Sequence, residues 1–185
     1  MNIYTKLARE SIENYLGDRK IIESPNNLPD DLIKNRAGVF VTLHKQHKRI
    51  PKEKLTETKE DLRGCIGTIY PTKKNIAEEI ISNAISAAFR DDRFPPLTKN
   101  EFNNIVISVE ILSEPEPVQG ISSLNPKKYG VIVKSAKDNR TGLLLPNIEG
   151  IDSPEYQVAL AKQKAAISPN EPVFLYRFET EKYIE

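Results

Sequence analysis

The stretch LRGCIG, residues 62–67, holds the only cysteine of the chain. A thiolate is a nucleophile, and a neighbouring cation favours the thiolate over the thiol. In a regular strand, residues two apart share a face. Arg63, Cys65 and Gly67 then lie on one face, and Leu62, Gly64 and Ile66 on the other. On that reading Cys65 is a candidate nucleophile and Arg63 its candidate activator. Gly67 leaves room beside the sulfur for a ligand, and Gly64 lets a neighbouring element approach closely. The plain alternative is a small buried cysteine in a packed strand. A bulge at either glycine would break the face assignment. Downstream, DDRFPPL (residues 91–97) places Asp91 and Arg93 in a rigid proline turn. They serve either to satisfy turn backbone or to line a substrate-binding cleft beside Cys65, with Phe94 anchored in the core. His44 and His47 are the only imidazoles and hence the only source of a Cys–His pair. Their spacing suits a metal pair on a helix, but no third ligand is nearby, and no metal is expected.

The elements that must position these residues follow from periodicity. Ile3, Leu7, Ala8, Ile12, Tyr15 and Leu16 recur at helical spacing and predict a helix over 3–16, ending near Gly17. GVFVTL (38–43) reads as a strand, and 44–61 as a polar, basic loop. That loop is expected to be mobile and free of metal. Residues 62–70 are expected to form an inner strand, covered on the Leu62/Ile66 face by a helix over 75–90. Ile76, Ile80, Ala84 and Ala88 make the apolar row of that helix, and Thr72 or Asn75 its cap. Residues 104–112 alternate as a strand, and SEPEPV breaks it. Residues 129–134 and 141–145 read as a hairpin. A helix begins at Ser153-Pro154, and 172–178 closes the chain as a strand. Strands and helices mix without regular βαβ alternation, so the fold class is α+β with a mainly antiparallel sheet and packed helices.

Composition bounds the rest. The chain has 185 residues, 38% apolar and 29% charged, enough for a real core. A formal net charge of +1 disfavours a dedicated nucleic-acid or membrane-surface protein. A lone cysteine makes no internal disulfide. The N-terminal residues lack the apolar run of a signal peptide, and no apolar run is long enough to span a bilayer, so a cytoplasmic protein is the expectation. There is no dinucleotide fingerprint, no P-loop and no cysteine cluster, so no cofactor is expected.

GVFVTL, LRGCIG, DDRFPPL, SEPEPV and GLLLP stand in the order found in the AMMECR domain family, which the chain resembles from about Leu7 to Phe178. Microbial members of that family are called AmmeMemoRadiSam system protein A. The resemblance implies an α+β fold with a larger and a smaller lobe and a cleft between them, the smaller built from about 120–168. It implies no established activity. It implies a substrate-binding or accessory role beside a Memo-like protein and a radical SAM protein, acting on a small molecule or a modified macromolecule. A cysteine-dependent enzyme using Cys65 in the cleft and an RNA-binding accessory factor are the alternatives. Arg63, Gly64, Cys65 and Gly67 match the family motif, as do Asp91, Arg93, Phe94, Pro95 and Pro96. The chain departs from the family at Asp92, where proline is common, at Tyr129, where some relatives place histidine, and in a longer loop after VTL. In AKQKAAI, Lys164-Ala165 match, but the second cysteine of many microbial relatives is missing, which argues against a two-cysteine redox mechanism.

Overall fold

The computed structural model describes residues 2–46 and 62–185. It confirms a mixed α+β fold with antiparallel sheets. The chain divides into two compact units, one of residues 1–111 with 181–185 and one of residues 112–180.

The first unit carries the LRGCIG stretch. Helix α1 (Ile3–Asp18) is followed by a short helix α2 (Asp30–Lys34), strands β1 (Val39–Lys45) and β2 (Leu62–Gly67), and helix α3 (Ile76–Phe89). A single helical turn α4 (Lys99–Phe102) and strand β3 (Ile105–Leu112) follow. The sheet has the order β2-β1-β3-β8, with β8 (Thr180–Ile184) arriving from the end of the chain. Val39, Val41 and Leu43 of β1 pair with Ile111, Val109 and Ile107 of β3, and these side chains pack into the core with α1 and α3. Ile76, Ile80, Ala84 and Ala88 of α3 are buried there, as the periodicity predicts. Burying a side chain such as Ile80 contributes about 2 kcal/mol from the apolar surface withdrawn from water. Asn75 is the cap of α3, its Oδ1 accepting the Glu78 N–H at 2.9 Å.

Helix α1 does not stop at Gly17. It runs through to Asp18 and ends on Arg19, which takes the left-handed conformation (φ 58°) that glycine usually fills. Arg19 donates its N–H to the Tyr15 carbonyl, and its guanidinium lies over the rings of Tyr15 and Phe89. Those contacts offset the backbone strain.

The second unit holds β4 (Glu116–Val118), β5 (Gly130–Ser135), β6 (Thr141–Leu144), α5 (Pro154–Lys164) and β7 (Val173–Phe178). Its sheet has the order β4-β7-β5-β6. Ser153 caps α5 with Pro154 in its first turn. The SEPEPV segment, read as a break, contributes the three-residue strand β4. Pro117 is tolerated there because β4 is an edge strand, where a missing N–H costs no ladder bond. No helix of the described residues is long and apolar enough to cross a membrane.

Most of the polar 44–61 segment, with His47, lies outside the described residues.

Candidate functional site around Cys65

Among the described residues β2 is an edge strand, not the inner strand expected, and it ends at Gly67 rather than Tyr70. Its pairing with β1 also contains an irregularity. Leu43 faces Gly64 and His44 faces Leu62, so Arg63 is the extra residue of a bulge. The alternation therefore fails at that point. Ile66 pairs with Val41 and packs against the helical core, but Leu62 moves to the other face, opposite His44. The glycine reading holds for Gly64: a Cβ there would collide with the carbonyl oxygen of Ala87, so β2 and α3 touch backbone to backbone. It fails for Gly67. The ring of Phe40, its cross-strand partner, fills the place where a side chain would be, so the ligand space expected there is taken.

The outer face of β1 and its neighbours is polar. Cys65, Thr42 and Ser108 form one rung across β2, β1 and β3. Thr42 Oγ1 donates to Cys65 Sγ at 3.3 Å. Cys65 itself is partly exposed, whereas Thr42, His44, Ser108 and Glu110 are buried. His44 lies two residues along β1 from Thr42, on the same face, a diagonal neighbour of Cys65. Lys182 of β8 pairs with Glu110 at 3.2 Å. Among the described residues, no group of three or more His, Cys, Asp or Glu side chains is arranged to hold a metal ion.

Asp91 and Arg93 meet Cys65 through its peptide. Asp91 Oδ2 accepts the Cys65 N–H at 2.9 Å, and Arg93 Nη2 donates to the Cys65 carbonyl at 3.1 Å. The two side chains also bind each other, at 2.9 and 2.7 Å. An edge strand leaves alternate N–H and C=O groups without a ladder partner, and this ion pair supplies the missing partner at one residue. The proline turn after α3 is what delivers it, with Phe94 N–H bonded to the Asp91 carbonyl and Leu97 N–H to that of Ala88. Burial pushes the Asp91 carboxyl up, but bonds from Arg93 and from the Cys65 N–H outweigh it and hold the pKa below the ordinary value. Arg93 is held in its charged form first by Asp91, with the Cys65 sulfur adding to the effect.

Arg63 is buried, and its guanidinium is committed elsewhere. Nε and Nη2 bind the two carboxylate oxygens of Glu101 at 2.7 and 3.2 Å, and Nη2 also donates to the Pro95 carbonyl at 2.9 Å. Glu101 closes the capping box of α4 with Thr98. The Arg63 bonds, ahead of those from Thr98, hold the Glu101 carboxyl down to about 2. The guanidinium bonded to the Cys65 segment is that of Arg93.

A second polar hub fixes the segment after β2. Glu79 of α3 is fully buried and accepts from Thr68 Oγ1, from the Thr72 hydroxyl and N–H, and from the Lys73 N–H. Asn83, one turn on, donates to the Val39 carbonyl at 3.0 Å. Sequence reasoning missed this hub, as it missed Thr42 and Ser108, because each depends on which strands lie side by side. A carboxylate at an apolar-stripe position of α3 was the available signal.

Acid should weaken this region. Both Asp91 and Glu101 have folded pKa values below their ordinary ones, so their contribution is present above the unfolded values and is lost as pH falls. For Glu101 the window runs from 4.5 down to about 2. Urea denaturation followed across this range should show stability falling, and Glu101→Gln should make the fall shallower. An unchanged slope in that variant would mean the Arg63–Glu101 pair adds nothing.

Known proteins resemble this chain in sequence, and one solved structure shares its architecture. A relative from Thermotoga maritima is 51% identical over 181 residues, covering 97% of this chain and 96% of its own length. A Clostridium acetobutylicum protein is 42% identical over 183 residues, and the chain spans only 36% of that relative's length. The crystal structure of an uncharacterized protein from Pyrococcus horikoshii superposes with a TM-score of 0.83 at 34% identity, covering 98% of this chain and 89% of that one. The AMMECR1 family model matches residues 5–183, and the chain belongs to the AMMECR1 family.

Proposed function

We propose that this chain is a substrate-binding or accessory subunit that presents Cys65 to a small molecule or to a group on a modified macromolecule. The observation that supports the reading is the mounting of that residue. Its N–H and C=O are held by Asp91 and Arg93, and its sulfur receives the Thr42 hydroxyl, while the residue stays partly exposed. A cysteine that merely fills space needs apolar neighbours, not a charged clamp and a hydroxyl donor. The family resemblance points to a Memo-like protein and a radical SAM protein as partners. Mixing the three purified proteins from one organism and measuring mass by light scattering after gel filtration tests this. A heterocomplex at micromolar concentration is expected, and three independent species would count against the accessory role.

A cysteine-dependent enzyme is the second reading, favoured by the Thr42 hydrogen bond and the Arg93 charge, both of which stabilise a thiolate. In it Cys65 is the nucleophile and Arg93, rather than Arg63, the nearer cation by hydrogen bonding.

A further inference from the structure

We propose that Arg63 and the cavity beside it form a binding subsite for a singly charged carboxylate ligand. The subsite goes beyond the Cys65 reading, since it is built on the Arg63 guanidinium, which is bonded to Glu101 and Pro95.

The bulge in β2 sends Arg63 out of the strand's regular alternation. The side chain is 3% exposed. A guanidinium carries five N–H groups. Nε and Nη2 are engaged by Glu101 and Pro95, and the ring of Phe94 lies 5.8 Å from the guanidinium carbon. Nη1 is buried and has no hydrogen-bond partner among the described residues. Leaving a cationic donor unpaired away from water is costly, and a native structure that keeps one invites a ligand as the explanation.

Arg63 is also part of the wall of a cavity of about 350 Å³, with Lys45, Gln46, Asn100, Glu101 and Asn104. That volume falls within the range of small-molecule sites. Most of the surface facing the cavity is apolar, with Ile105 and side-chain stems contributing, and three amides, Gln46, Asn100 and Asn104, stand among the lining residues. Glu101 balances Arg63, and Lys45 makes no ion pair among the described residues, so the described lining residues together carry one net positive charge. A carboxylate matches it: one oxygen for Nη1, a second for the lysine ammonium or an amide. A dianion such as phosphate gains less, because the Glu101 carboxylate stands in the same wall.

The test is a titration of the ¹⁵N-labelled protein with sodium acetate, reading the Arg63 side-chain resonances, against sodium chloride at matched ionic strength. A saturable acetate shift that chloride does not reproduce is expected. Lys45→Gln should weaken apparent affinity several-fold with an unchanged melting temperature, and Asn104→Asp should abolish the shift. No saturable shift, an equal response to chloride, or an affinity indifferent to Lys45→Gln overturns the subsite. Tighter binding of inorganic phosphate than of acetate overturns the assignment to a singly charged carboxylate.

Discussion

Gly64→Val is expected to destabilise the protein by about 3 kcal/mol, a large share of the total stability of an ordinary domain. The reason is local. A Cβ at Gly64 meets the carbonyl oxygen of Ala87, which is backbone of a buried helix and cannot rotate away as a side chain could. Either β2 lifts from α3 or the helix is displaced, and both open the core around Leu43, Ala84 and Ala87. Gly17→Ala is the matched control. Nothing lies within 4 Å of a Cβ there, and the residue is inside α1. It should gain about 0.5–1 kcal/mol from the helix propensity of alanine. Chemical denaturation of both variants measures the contrast. A Gly64→Val protein as stable as the parent would show that β2 and α3 do not touch as described.

Asp91→Ala is expected to cost about 2–3 kcal/mol and to loosen Cys65 specifically. The substitution leaves the Cys65 N–H without its acceptor and removes the anchor of Arg93, whose own donation to the Cys65 carbonyl then weakens. Arg93 is about half exposed and can be rehydrated, so most of the cost falls on the strand edge. Asp91→Asn keeps an acceptor and should cost about 1 kcal/mol, the difference between a charged and a neutral acceptor. Amide hydrogen exchange at Cys65 reads the effect directly: strong protection in the parent, little in Asp91→Ala. Equal protection in both would assign the Cys65 N–H another acceptor.

Much of the framework around the site was legible from residue spacing. The row Ile76, Ile80, Ala84 and Ala88 placed α3, and the alternation of Ile105, Ile107 and Val109 placed β3, because local periodicity reports which side faces a core. Gly64 was readable for the same reason. What was not legible depends on partners distant in the chain. That β2 is an edge strand follows from β8 arriving at the far side of the sheet and no described strand arriving beside β2. The bulge at Arg63 depends on the register against β1, and it undid the assignment of Leu62 and Arg63 to faces. Phe40 over Gly67 is a cross-strand contact that no single segment announces. Asp91 and Arg93 were recognisable as polar turn residues, but that they clamp the peptide of Cys65 rather than its thiol required the fold.

On the proposed function Cys65 is a mounted, reachable thiol rather than a packing residue. Alkylation of the native protein by iodoacetamide across pH tests it most directly, with Arg93→Met as the comparison. Labelling of the folded protein is predicted, with a several-fold slower reaction at neutral pH in Arg93→Met. Labelling that begins only when the protein unfolds would make Cys65 a packing residue.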